Sequence, residues 1–303
     1  MIFTRISSFM RRSAAALAVA AAFSAAPSLS AADNADGHYF QYPVPPESLQ
    51  TLTERTNFLL EHFWERCNMK SAFSSLPRMR EAFNDYVQFM PYADASVVHA
   101  SIEDLIKQVQ KNPRNLLALG EMAEGALYSD TALVLCDECY LPFARAVASS
   151  KKIPAADKAR FEYQGRSLEG SQIGMVAPDF TFTTPQGEKK TLAEVSQGAY
   201  VVLFFNDPEC DDCELARVRL SADMNLNDLI DLGQIRVVSI LPSEPTDEWR
   251  ERAASYSGKW IVGASADVDE IYDMRVSPVI YYLDNKRQIL SKSLDTDGLK
   301  EGF

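Results

Sequence analysis

The sequence predicts an all-α helical domain followed by an α/β domain. Three observations carry this. Apolar residues recur at helical spacing through residues 47–168, and from Gly174 onward short apolar strands alternate with helical segments. A chain of 303 residues with 47% hydrophobic content also exceeds what one core ordinarily serves. The expected division is a signal peptide over 1–32, a helical domain over 33–172 and an α/β domain over 173–303.

The N-terminal segment carries Arg5, Arg11 and Arg12 with no acid, then an Ala-rich apolar run from Ser13 to Ala22, then small residues ending near Ser30-Ala31-Ala32. That order reads as a secretory signal peptide, and the run is shorter than the roughly 20 residues a membrane span requires. The expectation is an exported, periplasmic protein, soluble once cleaved, and no cysteine stands at the cleavage region for a lipid anchor. Cleavage removes three of 30 basic residues and none of 42 acidic ones, so the formal charge moves from −12 to −15. Such a surface disfavours nucleic acid, which is held by clustered Lys and Arg.

In the helical part, three apolar stripes follow one another. They are Leu52, Thr56, Leu59, Phe63 and Cys67; Met79, Phe83, Tyr86 and Met90; and Val98, Ile102, Leu105 and Val109. Breaker and cap residues at Ser74-Ser75-Leu76-Pro77 and Pro91-Tyr92-Ala93-Asp94 separate them. Asn112-Pro113 opens a fourth helix through about Leu127, since proline suits the first helical position. Residues 129–140 interrupt the pattern, Pro142 to Ser149 resumes it, and Pro154 starts a helix to about Leu168. Short connections imply a bundle or an array of helical hairpins.

In the α/β part, Phe180 to Thr183 alternates and Pro185-Gln186-Gly187 is a turn. Tyr200–Phe205 and Ile235–Leu241 are continuous apolar runs, as in strands buried on both faces. Between them Cys210–Leu220 and Leu226–Leu232 are helical in composition. Thr246 caps a helix to about Tyr256, Trp260–Gly263 is a short strand, and Asp284-Asn285-Lys286 joins a closing hairpin. A mixed sheet follows from this order.

Five cysteines stand at 67, 136, 139, 210 and 213. Four of them form two C-x-x-C pairs, which in an oxidising compartment point to disulfide chemistry. Cys210 and Cys213 directly follow a buried strand and open a helix. There a sulfur lies near unpaired backbone N–H groups and the positive end of the helix dipole, so its thiolate is favoured as a nucleophile. The second cysteine, one turn on, can attack the resulting mixed disulfide.

Ala177-Pro178-Asp179-Phe180, Gly187, Leu192, Val201–Phe205, Cys210-x-x-Cys213 and Ser277-Pro278 together resemble the thioredoxin-like superfamily, in its branch of exported disulfide reductases and peroxiredoxin-related proteins. The resemblance covers residues 174–303. It implies a thioredoxin-like fold with catalytic Cys210, Cys213 and Pro278, the last as a cis-proline. It further implies substrate docking by Ser277 and, on the turn before the pair, by Pro208 and Glu209. Protein thiols and disulfides would be the substrates, an envelope protein the redox partner, and no cofactor is called for.

Several departures from that pattern shape the expectation. Glu209 replaces a usual Trp, and Asp211 and Asp212 fill the spacer, so three carboxylates are expected to crowd the thiols and raise their pKa. Phe204 stands where thioredoxins hold a buried acid, with Asp207 or Glu209 as conceivable substitutes. All three histidines precede residue 174, so Cys–His catalysis is unsupported. A thioredoxin-fold binding protein without catalysis, with the helical domain as its partner module, is the alternative. A thiol peroxidase lacks its threonine and arginine setting here. After the hairpin only Leu294–Phe303 remain where a full helix is usual, so the helical domain or a second subunit is expected to cover one sheet face.

Cys136 and Cys139 leave three readings open: a local disulfide, a relay exchanging with Cys210 and Cys213, or half of a four-thiolate zinc site. Carboxylate-rich spacers speak against zinc, and no metal is called for. Cys67 reads as a small buried hydrophobe. Phe40–Pro46, Glu61–Trp64, Ala82–Tyr86 and Phe161–Leu168 resemble the helical domain of unknown function, DUF5106, that precedes a thioredoxin-like domain in exported proteins of Bacteroides and relatives. That resemblance implies an architecture without an assigned activity.

Overall fold

The computed structural model describes residues 37–207 and 209–293. The candidate signal peptide, Pro208 and the segment after Ser293 lie outside the described residues. The chain divides into two compact units between Lys158 and Ala159.

In the first unit the expected helices form for local reasons. Helix α1 (Leu52–His62) starts at a capping box, in which Thr51 and Glu54 each accept the other's backbone N–H. Helix α2 (Leu76–Phe89) runs on into a 3-10 turn, Met90–Tyr92. Helix α3 (Ala95–Val109) buries Val98, Ile102, Leu105 and Val109 as the stripe predicts. Helix α4 (Pro113–Ala123) is capped by Asn112 and widens into a π turn, Glu124–Tyr128. Helix α5 (Asp137–Ser149) begins five residues before the expected Pro142, because Cys136 supplies the cap and the proline is carried inside the helix.

Rings fill this core. Phe63 lies 5.3 Å from Tyr86, and Phe83 meets Phe143 edge-on at 5.6 Å. The buried Tyr86 hydroxyl is satisfied by Ser101 at 2.8 Å, and Ser101 in turn donates to the Leu60 carbonyl at 2.7 Å. Two stripe members depart from expectation. Leu52 is 61% exposed at the first turn of α1. Cys67 lies beyond the helix on a turn, half-buried, and burial pushes its thiol up to about 11.

Helix α6 (Ala155–Gly170) carries the unit division in its first turn. The expected boundary at 172–173 falls at its other end. Most of α6 groups with the second unit, where the Tyr163 hydroxyl donates to Asp269 at 3.3 Å. A Cβ at Gly170 would come within 3.0 Å of the Ile271 carbonyl.

The second unit is a seven-stranded mixed sheet in the order β2-β1-β5-β4-β3-β6-β7. Its strands are β1 (Thr181–Thr183), β2 (Lys189–Thr191), β3 (Tyr200–Phe205), β4 (Ile235–Leu241), β5 (Ile261–Ala264), β6 (Val279–Leu283) and β7 (Ile289–Ser293). Strands β3, β4 and β5 are parallel, while β6 pairs antiparallel with β3. The apolar runs are buried on both faces, as read. Val201, Leu203 and Phe205 pack into one core, and Val202 and Phe204 into the other.

The second of these cores lies under α8 (Asp211–Ala222) and α9 (Met224–Asp231), which contribute Ala216, Leu220 and Leu226. The first is packed by Leu192 and Val195 of α7 (Leu192–Val195) together with Val268 and Tyr272. Residues of the second unit thus line both faces of its sheet. Helix α10 (Asp247–Ala253) closes the strand end of β4.

Candidate functional site

Sheet register builds the site. Strand β3 carries its chain to Asn206, and β6 pairs with it so that Phe205 faces Val279. Ser277 and Pro278 therefore arrive at the same end of the sheet as the turn leading to Cys210. The Ser277-Pro278 peptide bond is cis. The loop before it is held by Asp273, buried and ion-paired to Arg275 at 3.1 Å and to Lys292 of β7. Tyr281 of β6 also donates to the Asp273 carbonyl at 3.3 Å.

On the other side, Asp207 shapes the turn. Its carboxylate accepts the Glu209 N–H at 2.8 Å and its carbonyl accepts the Cys210 N–H at 3.1 Å. Cys210 then caps α8 with extended backbone, and its sulfur accepts the Cys213 N–H at 3.1 Å. Both sulfurs are free thiols, with Cys210 half-buried and Cys213 only 1% exposed.

The Cys213 thiol is pushed up to about 12, first by burial and then by the Cys210 thiol beside it; the Asp207 backbone amide and the Ser277 hydroxyl oppose that rise. Asp207, Cys210, Cys213 and Ser277 are thus brought together. The expectation that carboxylates crowd the thiols is corrected here. Glu209, Asp211 and Asp212 are all exposed, and the last two stand in the first turn of α8, where negative charge suits the helix dipole.

Phe204 is fully buried and lies 6.5 Å from Trp260, with no acid in its place. Neither Asp207 nor Glu209 substitutes, since both are exposed. A neutral polar network occupies the interior instead. Asn206 donates to Ser239 at 2.7 Å and accepts from the Tyr256 hydroxyl at 2.9 Å. Burial raises the Tyr256 pKa, and the hydroxyl also lies near enough to feel charge on Cys213. Sequence reasoning missed this trio. Ser239 inside an apolar strand was the available signal.

A cleft of about 270 Å³ opens beside the turn, lined by Asp207, Glu209, Pro242, Thr246, Trp249 and Arg252. Pro208, read as a substrate contact, lies outside the described residues. Among the described residues no cluster of three or more His, Cys, Asp or Glu is placed to hold a metal, and no helix is long and apolar enough to cross a membrane. In the helical unit Cys136 and Cys139 are bonded to each other. That corrects the zinc reading, because neither sulfur is left as a thiolate ligand.

The helical part matches a domain of unknown function, DUF5106, over residues 15–169, just over half of the chain. The chain belongs to the DUF5106 family. This DUF5106 protein is also similar to a thioredoxin-like protein from Bacteroides caccae of known crystal structure. The two share 23% identity with a TM-score of 0.74, over 87% of this chain and 97% of that one. The likeness is one of fold, and it makes the second unit thioredoxin-like. A conserved protein of unknown function from Bacteroides fragilis aligns at 30% identity and TM-score 0.41 over 44% of this chain and 98% of its own. The thioredoxin domain of a thiol-disulfide oxidoreductase from Bacteroides vulgatus aligns at 20% identity and TM-score 0.38 over 44% and 95%. No curated protein matches the chain.

Proposed function

We propose that this protein is an exported thiol-disulfide oxidoreductase that reduces or isomerises protein disulfides through Cys210 and Cys213. The observation that supports this most is the unequal pair at the start of α8: an accessible cap sulfur that accepts a backbone N–H, and a buried partner one turn behind it.

In this reading Cys210 attacks as the thiolate. Its sulfur bonds one substrate sulfur, the substrate disulfide breaks, and the departing substrate thiolate takes up a proton. Cys213, held protonated by burial until then, loses its proton and attacks the Cys210 sulfur. The substrate leaves as a dithiol, and Cys210–Cys213 remains as the disulfide for an envelope redox partner to reduce. Ser277 and Pro278 dock the substrate backbone, and Glu209, with Pro208 beside it in sequence, borders the cleft that takes its side chains. The helical unit positions the partner. Export rests on residues 1–32, and N-terminal sequencing of the mature protein from a periplasmic fraction tests it.

Buried Phe204 favours a second reading, a thioredoxin-fold scaffold without catalysis. Insulin reduction and trapping separate the two. Cys213→Ala is expected to accumulate mixed disulfides through Cys210, and Cys210→Ala to lose insulin reduction. Absence of both effects overturns the enzymatic reading in favour of the scaffold.

A further inference from the structure

The helical unit carries a disulfide that the proposed function leaves unused. Cys136 caps α5 with extended backbone, and its sulfur accepts the Cys139 N–H at 3.3 Å. Asp137 and Glu138 fill the first turn, Cys136 is half-buried and Cys139 is 8% exposed. Feature by feature this repeats Cys210-Asp211-Asp212-Cys213: a cap sulfur, two acids, and a buried second sulfur whose amide points back at the first. The two pairs are built alike on unrelated folds, one at the end of a buried strand and one after a π turn.

As a structural staple the bond does little. A disulfide stabilises by removing freedom from the unfolded chain, and that gain shrinks with the length of the loop it closes. Here the separation is three residues. The backbone is already held without it. Val134 N–H donates to the Ala126 carbonyl at 3.1 Å, Cys136 N–H to Leu127 at 3.0 Å, and Tyr140 N–H to Cys136 at 3.0 Å. Tyr128 and Tyr140 stack across the same junction at 4.7 Å.

Position suits the bond to exchange instead. The cap sulfur stands at the positive end of a 13-residue helix, where a thiolate is favoured. Leu133 and Leu135, on the segment leading to it, are 55% and 42% exposed, an apolar rim of the kind protein partners use.

We propose that Cys136–Cys139 is a second redox centre, which takes two electrons from a protein dithiol. A partner thiolate attacks the sulfur of Cys136, the more exposed of the two. The Cys136–Cys139 bond breaks, and Cys139 leaves as a thiolate and takes up the proton released by the attacking thiol. The partner's second thiol then loses its proton and attacks the partner sulfur of the mixed disulfide. Cys136 leaves as a thiolate, stabilised by the Cys139 N–H and the helix dipole until it is protonated. The partner ends oxidised to a disulfide, and Cys136 and Cys139 end as a dithiol.

The test uses the full chain carrying Cys210→Ser and Cys213→Ser, so its outcome is independent of the first site. Reduced thioredoxin is the protein dithiol, and alkylation followed by mass measurement counts the thiols at 136 and 139. Complete reduction with an unchanged circular dichroism spectrum is expected. In the same background, with Cys67→Ser added, single-cysteine variants are offered a thioredoxin that lacks its resolving cysteine and is activated as a mixed disulfide. Trapping through Cys136, with Cys139→Ser, is expected to exceed trapping through Cys139, with Cys136→Ser, by about tenfold. A disulfide that resists thioredoxin until denaturant is added overturns the proposal, as does loss of helical signal on reduction or equal trapping at the two positions.

Discussion

The Cys213 amide donates to the Cys210 sulfur at 3.1 Å, so one hydrogen bond fixes the two thiols of the pair in opposite situations. Cys210 receives the donor at the mouth of α8. Cys213 supplies the donor and buries its own sulfur beside the Ser277 hydroxyl. Two cysteines three residues apart thereby differ in exposure, and burial holds the proton on the second, which is what sequential attack requires.

Burial raises the Cys213 pKa from its ordinary 9.0 to about 12, and stability then depends on pH in a defined direction. Between these values the unfolded chain releases the proton while the folded chain retains it, so the contribution is intact below pH 9 and is lost as pH rises toward 12. Urea melts of reduced wild type should therefore lose stability relative to Cys213→Ala across that window. Parallel curves for the two proteins would refute the assignment.

Asn206 joins β3, β4 and the segment after α10 through Ser239 and Tyr256. Asn206→Ala leaves the buried Ser239 hydroxyl and the half-buried Tyr256 hydroxyl without that bond, and a loss of about 1–3 kcal/mol in denaturant unfolding is expected. Ser239→Ala should cost less in the Asn206→Ala background than alone, because the two share one interaction. Additive losses would show that the network has another anchor.

Gly263 on β5 leaves room for the buried Phe182 ring of β1. A Cβ there would stand 2.2 Å from Phe182 Cδ2. Gly263→Ala is expected to destabilise the second unit by about 1–3 kcal/mol through overpacking. Adding Phe182→Leu should recover part of the loss in thermal unfolding. A neutral Gly263→Ala would mean that the ring moves freely.

Much of this was legible in the chain itself. Caps and periodicity act over three or four residues, so Thr51, Asn112 and Thr246 mark helix starts, and the run from Tyr200 to Phe205 declares a strand buried on both sides. The same locality placed Cys210 at a strand-to-helix turn. Pro142 misled for the opposite reason. It reads as a start signal, while the cap that begins α5 is a cysteine sulfur, a weak acceptor outside the usual capping residues.

By itself, then, the sequence determined the two classes of domain, the order of their elements and the position of both C-x-x-C pairs. Only the tertiary structure decided what those sulfurs experience. The depth of Cys213, the Ser277 hydroxyl beside it, the neutral Asn206 network in place of an acid, and the outward turn of Glu209, Asp211 and Asp212 all depend on strands paired across 35 to 82 positions of chain. Proton affinity follows desolvation and neighbours, and those are properties of a packed interior that no local pattern of residues encodes.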